Sequence, residues 1–321
     1  MNHSGNATKL KLAYAPLSNH DFTIVKAEKI VQQILEGSML YAITQRPLLT
    51  FENITHEEAT ETLHFDIFQQ GTNLNVNCSL PLYQEHIGQD ETKPVEVNFG
   101  SYDKNWNQTA LPLTDLNGIQ FYDHESNFLL WLSPDKFLHH YSNKIISATI
   151  IGDYKPLTTF NVHYVGKATD QEIWRRLTGH PTLQDILSLE NPFNYGTLPT
   201  HEIVLLLFRV ADNFSIRILD GTDNIDEFVD TILGKDHPTE KDVSLDAEKV
   251  LIKVLDPTYN YKKFPNYPIS KDGLYKFNFN RFAYQISENI TLAYSDGAIN
   301  CNINDNLSDL IAIENMKISP S

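Results

Sequence analysis

The sequence has little cysteine, no long apolar run and no excess of positive charge. Its two cysteines, Cys78 and Cys301, lie far apart in no metal-binding or redox spacing, so we expect two reduced thiols. No apolar run approaches the roughly 18 residues that span a bilayer, which argues against a membrane partner. The polar start lacks a signal-peptide core, so the sequence predicts a cytoplasmic protein.

The net charge of −16 argues against general affinity for nucleic acids, because that affinity depends on neutralising phosphates. The charge is unevenly distributed, however. Residues 247–284 carry seven cations and three anions, whereas residues 212–242 carry nine acids and three cations. The first of these ranges allows a local phosphate-binding surface, for which Lys262 and Lys263 are the best candidates.

The first part of the chain reads as a β-rich α+β module, which we assign to residues 1–140. The composition, 41% apolar and 11% aromatic residues, predicts folded domains. The length of 321 residues favours two domains. Apolar residues alternate with polar ones through much of residues 48–99, and Gln70-Gly71-Thr72-Asn73 predicts a hairpin turn. No catalytic pattern stands out here, so we expect this module to recognise a protein partner, a target or a signal.

The pattern of the second part, residues 141–321, predicts a small antiparallel sheet flanked by helices. For the chain as a whole we expect an α+β fold. Residues 144–152 and 159–166 resemble two strands joined by a turn at 153–156. A helix capped by Thr169 and Asp170 would run to Leu177, and another would cover 245–255. A strand at 201–210 precedes an acidic insertion, residues 211–246.

Three polar residues in this second part point to phosphodiester hydrolysis. Tyr164 ends a strand, Arg176 lies on the next helix and Glu248 on a later one. A phenol can accept a proton as a general base, a guanidinium matches the geometry of a phosphate, and one carboxylate can hold a largely hydrated Mg²⁺. His180 lies four residues after Arg176, a spacing that puts both on one helix face.

Two stretches resemble the GIY-YIG endonucleases, including the nuclease domain of the bacterial excision-repair incision subunit. The first is Tyr164-Val165-Gly166-Lys167-Ala168 with Arg176-Leu177. The second is Ala247-Glu248-Lys249-Val250-Leu251-Ile252 with Asp256-Pro257-Thr258-Tyr259-Asn260. The resemblance covers about residues 145–270, with the acidic insertion as an extra.

The resemblance implies a nuclease that uses one Mg²⁺ ion and acts on DNA or RNA. In it, Glu248 would bind the metal, Arg176 would hold the phosphate and Tyr164 would assist proton transfer. Lys167 and His180 would support the site, while Gly166 and Asn260 would have structural roles. An acidic nuclease with an appended recognition module would suit a bacterial or phage defence system.

One motif of the family is not found where it is expected. The family places another tyrosine on the preceding strand, but the predicted hairpin puts Thr149 or Ile150 opposite Tyr164. Either Tyr154, which falls in the predicted turn, substitutes, or one tyrosine is missing. Strand alternation would also turn His163 away from Tyr164.

Two further hypotheses are compatible with these residues. In one, the chain keeps the fold but has lost catalysis, and serves as a nucleic-acid-binding or protein-assembly module. In the other, the resemblance is due to chance.

Overall fold

The computed structural model describes residues 4–88, 95–189, 201–217, 237–314 and 317–320. The strands are β1 Ser4–Leu12, β2 Leu17–Ser18, β3 Leu40–Pro47, β4 Leu49–Glu57, β5 Thr62–Gln69, β6 Asn75–Pro81, β7 Glu96–Gly100, β8 Gly118–Tyr122, β9 Phe128–Leu132, β10 Thr149–Ile151, β11 Thr159–Lys167, β12 His201–Arg217, β13 Arg281–Ile286, β14 Thr291–Tyr294, β15 Gly297–Asn300, β16 Leu310–Glu314 and β17 Lys317–Pro320. The α-helices are α1 Asn19–Val25, α2 Lys29–Leu35, α3 Pro134–Ser142, α4 Ile173–Leu177, α5 Pro181–Leu189 and α6 Glu240–Leu255.

A large mixed sheet organises the described part of the chain and confirms the α+β class. Its order is β15-β14-β11-β3-β12-β1-β13-β16-β17, and β2 adds to β12. The β1–β13 and β11–β14 pairs are parallel, and the other pairs in this sheet are antiparallel. The sheet is larger than the one expected for residues 141–321, because β1 and β3 from the first part of the chain lie inside it.

The segment between β3 and β11, residues 48–158, forms an insertion with its own hydrophobic core. Strands β4, β5, β6 and β10 make one sheet, and β7, β8 and β9 make another. The predicted hairpin at 70–73 is present between β5 and β6. The predicted hairpin at 153–156 is wrong, because β10 pairs with β6 whereas β11 pairs with β3. The predicted boundary at residue 140 therefore falls inside the insertion.

The large sheet is covered by helices on both faces. On one, which we call the α6 face, Ala42, Val165 and Leu206 pack with α6. On the other, the α5 face, Tyr41, Ile43 and other residues pack with helices α1, α2, α4 and α5. Alternation along each strand divides its side chains between these two cores.

Two helices begin elsewhere than the sequence predicts. Helix α6 starts at Glu240 after a capping box formed by Thr239 and Asp242. It therefore includes residues 240–246, the last part of the predicted acidic insertion. Helix α4 starts after Glu172, not after Thr169 and Asp170. Strand β12 extends to residue 217, and the part of the acidic insertion at 218–236 lies outside the described residues. None of the described helices is long and apolar enough to cross a membrane.

A buried charged cluster links the insertion to the large sheet. Arg46 of β3 is 0% exposed and pairs with Asp135 of α3 and, at 3.5 Å, with Glu202 of β12. The Tyr102 hydroxyl donates to Glu202 at 2.8 Å. Burial raises the pKa of Glu202 to about 7, although the charge of Arg46 opposes this rise. A buried guanidinium needs such partners, because removing one leaves an uncompensated charge.

We predict that Asp135→Asn lowers the free energy of unfolding by about 3 kcal/mol, because Arg46 loses a charged partner inside the protein. Urea denaturation measures this change. Asp296→Asn alters an exposed acid in the β14–β15 turn and serves as the control. Equal stability of the two variants would show that the cluster contributes little.

Candidate active site

Strand pairing places a second tyrosine, Tyr41, beside Tyr164. In the β3–β11 pair, Tyr41 lies opposite Gly166 and Ile43 lies opposite Tyr164. Thr149 and Ile150 are in β10 and pair elsewhere. Tyr41 was missed because the whole insertion separates it from Tyr164 in sequence. The sequence feature that could have identified Tyr41 is the apolar strand pattern that begins at Leu40, upstream of the insertion.

Three aromatic rings and one guanidinium meet on the α5 face. The Tyr41 and Tyr164 ring centroids are 6.0 Å apart, and His180 lies edge-on to both, at 5.8 Å and 5.3 Å. Arg176 is partly buried, which lowers the pKa of its guanidinium, but Tyr41 and Tyr164 lie close enough to raise that pKa overall. The structure thus brings together Tyr164, Arg176 and His180, as predicted, and adds Tyr41.

Gly166 has a direct role in this arrangement. A Cβ atom at this position would lie 2.6 Å from Cε1 of Tyr164 and 2.6 Å from both Cζ and the hydroxyl oxygen of Tyr41. These distances are far inside normal contact, so any side chain would displace the two rings. The structure therefore provides a steric reason for the structural role predicted for Gly166.

The hydrogen bonds of His180 define its tautomer. The Leu183 amide donates to Nδ1 at 3.3 Å, so the proton of a neutral ring is on Nε2, which donates to the Tyr41 hydroxyl at 2.8 Å. Burial, with the nearby charge of Arg176, lowers the pKa of His180 to about 4. Burial raises the pKa of Tyr41, which is 0% exposed, while Arg176 opposes the rise. At neutral pH both groups are therefore uncharged.

Glu248 lies on the α6 face, on the other side of β11 from the two tyrosines. It is 9% exposed, and its Oε2 is 3.0 Å from Nζ of Lys167. Burial raises the pKa of Glu248, and Lys167, Lys249 and Lys262 oppose this effect. The predicted constellation is therefore divided into an aromatic–guanidinium group and a carboxylate–lysine group, which are connected by residues 164–167 of one strand.

Asn260 supports the end of this strand. Its Oδ1 accepts from the Val165 amide at 2.9 Å, and its Nδ2 donates to the Val165 carbonyl at 2.8 Å. The side chain thus satisfies both backbone groups of a residue on the outer edge of β11. The turn that carries Asn260 follows α6, so this contact also ties the Glu248 helix to the strand.

Three other candidates lie apart from the aromatic group. Tyr154 packs edge-on against Tyr141, 5.8 Å between ring centroids, and accepts from Asn289 at 3.4 Å. Tyr154 therefore does not join Tyr164, as one of the two predicted alternatives required. Lys263 pairs with Asp256 at 2.8 Å, and Lys262 lies 4.6 Å from the centre of the Phe264 ring.

His163 is on the α5 face, contrary to the alternation argument. The register of β11 shifts between Val162 and Tyr164, so His163 is the extra residue of a bulge. Its Nε2 is 3.0 Å from Oε1 of Gln45, which alternation along β3 places on the same face as Tyr41.

The metal expected from the resemblance has one candidate ligand. Glu248 offers the carboxylate oxygen that Mg²⁺ prefers, and a single such ligand is sufficient for an ion that keeps most of its water. Among the described residues, no group of three or more His, Cys, Asp or Glu side chains could hold a metal. The donor type therefore fits one hydrated ion, which would have to displace the Lys167 ammonium.

Comparison with known proteins found no relative: no family model, no curated protein and no solved structure matches the chain.

We predict that Gly166→Ala lowers the free energy of unfolding by about 1–3 kcal/mol, because its methyl group overlaps both tyrosine rings. Gly37→Ala is the matched control, since a Cβ there would meet nothing within 4 Å. Urea denaturation of the two variants tests the steric argument, which would be wrong if Gly166→Ala were as stable as the control.

We also predict that protonation of His180 makes the protein less stable in mild acid. Between pH 6.5 and pH 4 the unfolded chain binds a proton at this residue and the folded chain does not. The neutral His180 ring therefore makes its full contribution to the free energy of unfolding above pH 6.5. About 2 kcal/mol of this contribution is lost between pH 7 and pH 5. Urea denaturation at several pH values should show a smaller loss for His180→Gln than for the wild type. His124→Gln, at an exposed histidine, should behave like the wild type, and an unchanged slope in His180→Gln would contradict the prediction.

Proposed function

We propose that this chain is a Mg²⁺-dependent nuclease of the GIY-YIG type that hydrolyses phosphodiester bonds in DNA or RNA. The observation that carries the proposal is the meeting of Tyr41, Tyr164, His180 and Arg176 on one face of the sheet. Paired tyrosines beside an arginine match the two motif strands of that family. Strand β3 supplies the first tyrosine, and the insertion lies between the two motifs.

Each residue of this group has a chemical role that follows from its environment. Arg176 is half-buried and can bind a phosphate oxygen with its planar fork. Tyr164 is half-buried, so its hydroxyl can reach the attacking water and assist proton transfer. Tyr41 is buried and neutral, and we assign it, with His180, the role of holding Tyr164 and Arg176 in place.

Glu248 would hold the metal, and bound Mg²⁺ would stabilise charge on the phosphate and on the leaving oxygen. Lys167, displaced from the carboxylate, would then be available to the phosphate. This arrangement requires the phosphate to lie at the C-terminal end of β11. There the Cα atoms of Tyr164 and Lys167 are about 10 Å apart, because the two residues are three positions apart in an extended strand.

A second candidate is a catalytically degenerate module that binds nucleic acid or assembles with protein. The observation that favours it is the separation of Glu248 from the tyrosines across β11, with Lys167 already neutralising the carboxylate. A module of this kind would retain an anion-binding Arg176 without cleaving the substrate.

The remaining parts of the proposal concern context. We infer a cytoplasmic protein in which the insertion, residues 48–158, recognises a protein partner or a signal. A role in bacterial or phage defence fits a nuclease that carries such a module.

We predict that purified protein cleaves DNA or RNA in the presence of Mg²⁺, and that Glu248→Ala and Tyr164→Phe each lower kcat at least about 100-fold. The matched control is Glu240→Ala, at an exposed acid in the first turn of the same helix. Cleavage that survives Glu248→Ala would exclude this mechanism. Binding without cleavage by the wild type would favour the degenerate module.

A further inference from the structure

The aromatic residues of the basic segment, residues 247–284, differ in how far solvent reaches them. Eight of its nine tyrosine and phenylalanine residues are buried or partly buried. Three of these, Tyr267, Phe282 and Tyr284, belong to the core of the α6 face. Tyr261 is the exception, because it is 92% exposed. A ring exposed to this extent contributes almost nothing to the core, and its flat face is open to another molecule.

The neighbours of Tyr261 in the chain fix its position. Asn260 is bound to both backbone groups of Val165, at the outer edge of β11. The Tyr259 amide donates to the His163 carbonyl at 3.1 Å, and the Tyr259 ring lies edge-on to the His163 ring. Tyr261 is the next residue, so its Cα atom is about 3.8 Å from that of Asn260. The exposed ring is therefore carried by a stretch of chain that is tied to β11.

This stretch also connects the two groups of the candidate site. Tyr259 packs with the core of the α5 face, to which Tyr164 also belongs. The charge of Lys262 acts on Glu248, which lies on the α6 face. Tyr261 is thus between a residue next to the aromatic group and a residue next to the carboxylate. A substrate that reaches both groups passes around β11 at this end of the strand, beside Tyr261.

Lys262 adds a positive charge next to the exposed ring. No carboxylate among the described residues pairs with its ammonium, which lies 4.6 Å from the centre of the Phe264 ring. The following residue differs, since Lys263 pairs with Asp256 at 2.8 Å. An aromatic ring for a base and a cation for a phosphate are the two contacts by which proteins hold single-stranded nucleic acids. Here adjacent residues provide both.

We propose that the substrate is bound as a single strand, with one base stacked on Tyr261 and the adjoining phosphate bound by Lys262. This inference rests on the proposed function and adds the strandedness of the substrate to it. A base inside a duplex is stacked on its neighbours and paired, so it must leave the duplex before its face is open. Every base has a π-face, so stacking does not depend on base identity. The site therefore selects single strands without selecting a sequence.

Substitution of Tyr261 tests the stacking contact. The probe is a labelled oligothymidylate of 12 nucleotides, and fluorescence anisotropy in EDTA measures its binding without cleavage. We expect Tyr261→Ala to weaken binding at least about fivefold, whereas Tyr261→Phe, which keeps the ring, stays within about twofold of the wild type. Ile269→Ala, at a residue 56% exposed in the same segment, should bind like the wild type. Equal binding by Tyr261→Ala and the wild type, or no binding by the wild type, would overturn the inference.

Removal of the bases separates stacking from a structural effect of the substitution. A strand of 12 abasic nucleotides offers the same phosphates but no base. Tyr261→Ala should bind this strand as well as the wild type does, because no stacking contact is left to lose. The wild type should also bind oligothymidylate more tightly than a 12-base-pair duplex. Equal losses for the abasic strand and for oligothymidylate, or tighter binding of the duplex, would contradict the proposed contact.

The salt dependence of binding separates the cation from the ring. Loss of one phosphate contact to a single strand makes the slope of log K against log [salt] shallower by about 0.7. We expect this change in Lys262→Gln and not in Tyr261→Ala. Lys104→Gln, at an exposed lysine of the insertion, is the control and should keep the slope of the wild type. An unchanged slope in Lys262→Gln would show that Lys262 binds no phosphate.

Cleavage assays with Mg²⁺ distinguish a failure of this inference from a failure of the proposed function. For a single strand, Tyr261→Ala should raise KM at least about fivefold and leave kcat close to that of the wild type. Cleavage with an unchanged KM in Tyr261→Ala would overturn the inference and leave the nuclease proposal intact. Binding that depends on Tyr261 but leads to no cleavage would support the inference and count against the nuclease.

Discussion

The candidate site depends on one close approach between two strands. Where β3 and β11 pair, the absence of a side chain at Gly166 leaves room for the rings of Tyr41 and Tyr164 above the backbone. A hydrogen bond from His180 fixes the inner phenol, and Arg176 lies beside both hydroxyls. The rest of the arrangement follows from this constraint, since the large sheet with helices on both faces holds the two strands in register.

The cost of burying charge explains the second half of the site. Glu248 is almost inaccessible, and such a carboxylate requires a compensating cation, which Lys167 supplies. The ion pair with Lys167 meets this requirement in the folded protein. Asn260 holds the strand between the two groups by satisfying both backbone atoms of Val165.

An insertion between two neighbouring strands need not disturb their pairing, provided that its ends remain close in space. Residues 48–158 meet this condition, because β3 ends and β11 begins in adjacent positions of the sheet. The insertion has its own core and is fastened to the sheet through Arg46 and Asp135. The insertion and the large sheet thus keep separate hydrophobic cores within one chain.

The sequence by itself determined the local features: the hairpin at Gln70–Asn73, the existence of helix α6 and the candidates Tyr164, Arg176, His180 and Glu248. These depend on periodicity, turn chemistry and short spacing, which the chain carries locally. Only the tertiary structure decided that Tyr41 joins the site, that Tyr154 does not, and that Glu248 and Tyr164 lie on opposite faces of β11. Pairing between strands distant in sequence is set by the packing of two cores, and a bulge at His163 reverses which face a residue occupies.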